Sequence, residues 1–321
     1  MSGGNPPLIQ KILMDKHKEK RKQLELKGTE QLKHSEELTA VASILTSTFN
    51  EIEGRSLGTS VAGIPVNFYD FDAMTQGLQR GSLVVVAGRP AMGKTSLVTN
   101  IAKNVAQLHD LPVCFFSLEM SKEQMTYRFL SLEVGIESGR LRTGRIAQDE
   151  WPILGQGIET LGQLPLFICD KGSITVKEML AKCQQIQKQE KKSLGLVVVD
   201  YVQLMEGPNK ESRDEELSKI ILDLKVMAKT LDVPLLLMSQ LNRHAEYREN
   251  KRPMLSDLRE TTSLESHADI VVMIYRDEYY NPESDEQGIT ELITCKHRNG
   301  PVGTVKLLFE PQFTRFRNLA A

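Results

Sequence analysis

Cysteine is scarce in this chain and never paired in sequence. The four residues, Cys114, Cys169, Cys183 and Cys295, are scattered, and no two have CxxC spacing. That argues against a disulfide scaffold and a thiolate metal site, and the thiols read as reduced, buried groups of a cytoplasmic protein. The six histidines show no metal-ligand spacing either. No apolar run approaches the ~20 residues of a membrane span, and the opening MSGGNPP lacks a secretion-leader pattern, so we expect no membrane partner. Charge of one sign is also missing: 40 Lys and Arg stand against 42 Asp and Glu, a formal net charge of −2. A globally basic nucleic-acid surface is excluded, and such binding would have to come from local clusters.

What is present is ordinary globular composition, 40% apolar and 26% charged over 321 residues, enough for one large α/β domain with an appendage. Residues 8–28 are helical in character and densely charged, with only a short apolar face at Leu8, Ile9, Ile12 and Leu13. Such a helix is either a frayed end or an arm that docks on another surface. Residues 35–53 make a stronger helix, with Ser35 as cap, Glu36 and Glu37 at the positive dipole end, and Leu38, Val41, Leu45, Phe49 and Ile52 at helical spacing. A glycine-rich linker follows, and the main domain is expected to start near Gly63. From there apolar strands alternate with helices: LVVVAG (83–88), VCFFSLE (113–119), PLFICD, LGLVVVD, VPLLLMSQ, ADIVVMIYR and two C-terminal strands forming a hairpin. Near-continuous apolar strands separated by helices imply a mainly parallel sheet covered on both faces.

GRPAMGKT, Gly88 to Thr95, fits GxxxxGK[ST] and sits between a strand and a helix. Backbone N–H groups along Gly88, Arg89, Pro90, Ala91, Met92 and Gly93 can surround phosphate oxygens, because glycine permits tight turns and close approach. The helix start, with Ser96 in its first turn, adds a positive dipole end. Lys94 can reach the β- and γ-phosphates, and the Thr95 hydroxyl can ligate Mg²⁺. Hydrolysis needs more. Asp200 ends an apolar strand at its carboxyl end, where ligands sit in open α/β sheets, and is the candidate metal-side acid. Glu119 is a candidate general base for the attacking water, and Gln240, ending VPLLLMSQ, a candidate γ-phosphate sensor.

These stretches, with GIPVNFYDFDAMTQGLQRG (63–81), FFSLEMS (115–121), VVVDYVQLM (197–205), MSQLNR (238–243), the segment 252–280 and KHRNGPVGT (296–304), resemble the motor of the DnaB family of replicative DNA helicases. The resemblance covers about Ala62 to Phe316. It implies a RecA-like P-loop NTPase fold, ATP and Mg²⁺ as cofactors, and a homohexameric ring translocating 5′ to 3′ on single-stranded DNA. Primase and a helicase loader are the further partners it implies. It assigns Glu119 as the catalytic glutamate, Asp200 as the Mg²⁺-side aspartate, Gln240 as the coupling glutamine and Arg128 as a further active-site arginine. It also makes Arg298, with Lys296 beside it near the HRNGPVG turn, an arginine finger acting in trans.

Two loops are the expected DNA contacts. One, 206–215, carries Lys210 and Arg213; the other, from Arg243 to about Ser263, carries Arg243, Arg248, Lys251, Arg252 and Arg259. The resemblance places Arg259, Glu260 and Thr262 in the segment that grips the DNA backbone, which suits a motor because phosphates repeat regardless of sequence. Three departures stand out. Thr262 and Asn67 replace frequent glycines, and only about sixty residues precede the motor. We therefore expect residues 1–62 to be a helical linker or arm docking on a neighbouring subunit, and 63–321 to be the motor, in a truncated chain or a shortened relative. The competing readings are a RecA-type recombinase and a DNA-dependent ATPase acting as loader or regulator.

Overall fold

The computed structural model describes residues 38–58, 61–205, 212–258 and 261–319, without the side chains of 261 and 262. The chain divides into two units between Ser56 and Leu57. The first contains helix α1 (Val41–Ser56), none of whose residues is buried. The helix runs beyond the expected end at residue 53, and Arg55 pairs with Glu51 one turn back at 3.2 Å, which supports the extra turn. The expected cap at Ser35 and the charged helix at 8–28 lie outside the described residues.

The second unit begins with α2 (Tyr69–Thr75) and then alternates: β1 (Leu83–Gly88), α3 (Lys94–His109), β2 (Val113–Ser117), α4 (Lys122–Val134), α5 (Ser138–Thr143), α6 (Trp151–Gly162), β3 (Leu166–Cys169), α7 (Val176–Glu190), β4 (Leu196–Asp200), α8 (Arg213–Leu231), β5 (Leu235–Gln240), α9 (Thr261–His267), β6 (Ile270–Tyr275), α10 (Asp277–Tyr280), β7 (Ile289–His297), β8 (Gly303–Glu310) and β9 (Arg315–Asn318). One nine-stranded sheet has the order β3-β2-β4-β5-β1-β6-β7-β8-β9. Pairing is parallel from β3 through β6 and antiparallel from there to β9. The fold is therefore the expected RecA-like α/β core.

Burial on both faces explains the continuous apolar strands. Val84 and Val86 of β1 pack with Leu97, Val98 and Ile101 of α3. Their neighbours Leu83, Val85 and Ala87 pack on the other side with Leu217, Ile221 and Leu224 of α8. A side chain changes face at every residue of a strand, so a strand covered twice has no polar position to spare.

The helix expected near 213–231 is α8 at those bounds. Two other elements depart from expectation. β2 stops at Ser117 rather than residue 119: the Leu118 N–H makes the last ladder bond, to the Asp200 carbonyl at 2.7 Å, and the Ser117 hydroxyl closes the turn that follows by donating to Met120 O at 2.7 Å. Glu119 is thereby turned out of the ladder. The C-terminal hairpin becomes a three-stranded antiparallel extension, because Thr314 (φ 51°) reverses the chain after Pro311–Phe313 and returns it as β9. There Phe316 stacks on Phe309, with centroids 4.3 Å apart.

Candidate functional site

Because β1, β2, β4 and β5 are parallel neighbours, their carboxyl ends share one edge of the sheet. Ligands bind outside such an edge. A cleft of about 420 Å³ opens there, lined among others by Pro90, Ala91, Gly93, Lys94, Thr95, Ser96, Glu119, Arg128, Asp200 and Gln240. The loop after β1 supplies the first three, the start of α3 the next three, the turn after β2 Glu119, helix α4 Arg128, and the ends of β4 and β5 Asp200 and Gln240. Helix α4 starts sharply because Ser121 and Gln124 cap one another, at 3.3 and 3.0 Å.

Gly93 caps α3 at φ 96°, a left-handed conformation, and a Cβ there would lie 3.2 Å from both the Phe309 and Phe316 rings. Only glycine fits both demands. Arg276 braces the same loop from outside, donating to Ala91 O at 3.2 Å while lying over the Phe309 ring. Met92 is buried in the core below.

The site is electrostatically tense. Burial pushes the Lys94 ammonium down to about 8, against the opposing pull of Asp200 and Glu119, and the nearby Arg89 adds to the depression. Burial, reinforced by the charge of Glu119, pushes the Asp200 carboxyl up to about 6; the Thr95 hydroxyl bond, Lys94 and Arg128 hold it back. Burial also lowers Arg128. Lys94 Nζ donates to the Gly88 and Arg89 carbonyls at 2.8 and 3.0 Å, and Thr95 Oγ1 to Asp200 Oδ2 at 3.2 Å. Asp200 Oδ1 is buried with no hydrogen-bond partner. An orphaned carboxylate oxygen beside a hydroxyl suits a hard divalent cation such as Mg²⁺, which takes few protein oxygens and completes its shell with phosphates and water. Among the described residues no cluster of three or more His, Cys, Asp or Glu could hold a metal alone. Gln203 links the strand ends, donating to Ser239 Oγ at 3.0 Å and accepting from the Gln240 N–H at 3.4 Å.

Arg298 and Lys296 lie elsewhere. Arg298 Nη2 donates to Ser266 O at 2.6 Å, its Nε stands 3.7 Å from Asp269 Oδ1, and Lys296 Nζ donates to Glu265 O. Asp269 in turn accepts from the Leu83 N–H at 2.7 Å and pairs with Lys225. This is the amino end of β1, about 17 Å along the strand from the phosphate loop at ~3.3 Å per residue. Neither cation lines this chain's own cleft.

The basic loops are less free than their charge pattern suggests. Arg248 is bidentate to buried Asp257 at 2.9 and 2.6 Å, and Arg252 to buried Glu291 at 2.8 and 2.7 Å while lying over the Tyr275 ring. Lys251 donates to the Glu246 and Arg248 carbonyls. Arg213 pairs with Glu216 and donates to the Gln203 and Met205 carbonyls, both at 2.9 Å. Arg243 is exposed. Lys210, Arg259 and Glu260 lie outside the described residues, as does the side chain of Thr262. The role of Glu291 was missed from sequence. An acid inside the apolar strand ITELITC was the available signal, since a buried carboxylate demands a cation.

Residues 63–318 match the family described as DnaB-like helicase C terminal domain. The replicative DNA helicase DnaB of Geobacillus stearothermophilus is 42% identical over 292 residues, and a probable replicative DNA helicase of Trieres chinensis 44% over 293. Each alignment covers 90% of this chain and 64% of the relative, so the chain spans less than two thirds of these curated relatives. Among solved structures, one described as an ATPase domain superposes with a TM-score of 0.84 at 38% identity, covering 88% of this chain and all of that one. A DnaB-like replicative helicase, solved for its interactions with primase, gives 0.82 at 38% identity and covers 88% and 69%.

Proposed function

The chain belongs to the family of DnaB-like helicase C-terminal domains, and from that premise we propose that it is an ATP-hydrolysing DNA helicase motor. It acts as a homohexameric ring moving 5′ to 3′ on single-stranded DNA at the replication fork. One observation carries the reading: the phosphate loop, Glu119, Asp200 and Gln240 meet in one cleft, while Arg298 stands at the far end of β1. A site that keeps its last cation outside its own reach is suited to a neighbour that supplies it.

In this reading the phosphate-loop N–H groups and Lys94 hold the β- and γ-phosphates of ATP. Glu119 accepts a proton from the attacking water as its oxygen adds to the γ-phosphorus, and the bond from that phosphorus to the β,γ-bridging oxygen breaks, releasing ADP and inorganic phosphate. Gln240 contacts the γ-phosphate, and Arg128 adds positive charge to the cleft. Arg298 of an adjacent copy, with Lys296 beside it, stabilises the charge that spreads over the transferred group, worth about 10³–10⁵ in rate for related fingers. Mg²⁺, held by Thr95 and Asp200, would neutralise phosphate charge when bound. DNA is gripped through its phosphates by Arg243, Lys210 and the segment that carries Arg259, Glu260 and Thr262, with Arg213 shaping the first loop.

Residues 1–62 serve as the arm that docks on the neighbouring subunit. Exposed Val41, Leu45 and Ile52, on one face of α1, support this. Primase and a loader are the further partners, and the cytoplasm the compartment; no helix among the described residues is long and apolar enough to cross a membrane. The test is strand displacement on a forked duplex with a 5′ single-stranded tail. ATP and Mg²⁺ should release the labelled strand, and Lys94→Ala should not. Wild-type protein that turns over ATP with DNA yet pairs homologous strands instead would replace this reading with a recombinase.

A further inference from the structure

We infer that the Arg89–Glu246 ion pair couples the phosphate loop to the segment after β5, with Glu246 a positioning residue through which nucleotide and single-stranded DNA bias each other's binding. The inference rests on the nucleotide and DNA reading above. Arg89 is the second residue of the phosphate loop, yet its side chain does not line the cleft. It points away and is only 11% exposed, with Nε 2.7 Å from Glu246 Oε1 and Nη1 2.9 Å from Leu241 O. Its own carbonyl accepts Lys94 Nζ at 3.0 Å. One residue thus has its peptide on the phosphate-seeking lysine and its guanidinium on the next segment.

A phosphate that recruits the Lys94 ammonium takes a donor away from the Gly88 and Arg89 carbonyls. A shift of that peptide cannot leave Glu246 behind cheaply, because separating two mostly buried charges leaves both short of partners. Beyond Glu246 the segment is braced and behaves as a block. Lys251 holds the Glu246 carbonyl, Arg248 holds Asp257 twice, and Arg252 holds Glu291 twice. The same short helical turn, Arg243–Tyr247, carries exposed Arg243, a proposed DNA contact, three residues before Glu246. A solvated loop would leave its charges in water; here Glu246, Arg248, Lys251 and Arg252 are held in cross-links, one of which ends at the phosphate loop.

Coupling between two ligands is reciprocal, so it can be measured from either side. Anisotropy of a labelled oligothymidine, with and without a non-hydrolysable ATP analogue and Mg²⁺, gives one factor; analogue affinity with and without oligothymidine gives the other. For wild type we expect equal factors, of about 5–150. In Glu246→Gln both should fall together by about 5-fold or to unity, while each ligand alone binds within about 2-fold of wild type. Arg89→Lys keeps the charge but cannot reach Glu246 and the Leu241 carbonyl together, and its coupling factor should fall too. A preserved factor in either folded variant overturns the inference, as does loss of both separate affinities with the factor intact. Wild type with no coupling at all would sink this inference and the DNA-motor reading together; wild-type coupling that survives in the variants sinks this inference alone.

Discussion

Nucleotide affinity should fall with rising pH because Lys94 loses its proton early. Burial brings its ammonium down to about 8, and only the charged form attracts phosphate. The apparent dissociation constant scales inversely with the competent fraction, so it rises by a factor of about 1.1 at pH 7, about 2 at pH 8 and about 11 at pH 9. Between pH 7 and 9 the analogue should therefore bind about ten-fold more weakly, about 1.4 kcal/mol. Two neighbours do not interfere in the upper part of this window. Asp200, at about 6, is ionised above pH 7.5, and so is a terminal phosphate with its second ionisation near ~6. Titration calorimetry at pH 8 in two buffers of different ionisation enthalpy should show uptake of about half a proton per analogue bound. Lys94→Arg keeps a cation that does not titrate here, so its proton uptake should vanish. Affinity flat from pH 7.5 to 9, or the same slope in Lys94→Arg, would refute the argument.

Two further outcomes follow from buried charge. Asp200 has its folded pKa raised above the unfolded value, so its contribution to stability is present below pH ~4 and is lost as pH rises through about 6. In EDTA at pH 7, Asp200→Asn should therefore be more stable than wild type, by up to about 3 kcal/mol, although it turns over no ATP. The advantage should shrink as pH falls toward 4, and an Asn variant no more stable at pH 7 would count against it in thermal unfolding. Arg252→Ala strands the buried Glu291 carboxylate; because Arg252 itself is half exposed, we expect a loss of about 2–3 kcal/mol rather than the full cost of a buried pair. Denaturant unfolding checks this, and a loss under about 0.5 kcal/mol would mean Arg252 is free for another role, DNA contact included.

What the sequence disclosed was local. The phosphate loop is legible because its glycines, lysine and threonine are adjacent, and Asp200 because it ends an apolar run. Lys94, Thr95, Glu119, Arg128, Asp200 and Gln240 do line one cleft. The parallel core was legible because every residue of β1 is buried and apolar. What stayed hidden was pairing over distance. Arg252 and Glu291 are 39 residues apart, and a row of basic residues looks the same whether its partners are carboxylates or DNA. β9 escaped because RFRN alternates with charge and is short; it is a strand only because β8 offers an edge and Asn100 accepts the Phe316 N–H at 3.0 Å. Glu119 was placed on β2, but the ladder's last bond is at Leu118, and the turn closed by the Ser117 hydroxyl on Met120 O carries Glu119 out of the strand.

The most direct check of the central claim, a hydrolytic site completed by a neighbouring copy, is a mixing experiment. Glu119→Ala and Arg298→Ala should each bind nucleotide and fail to turn it over. Mixed in equal amounts and reassembled, about a quarter of head-to-tail interfaces join an intact Glu119 to an intact Arg298, so turnover should recover to about that share of wild type. A mixture shown by native mass spectrometry to contain both variants in one ring, yet silent toward ATP, would contradict the account.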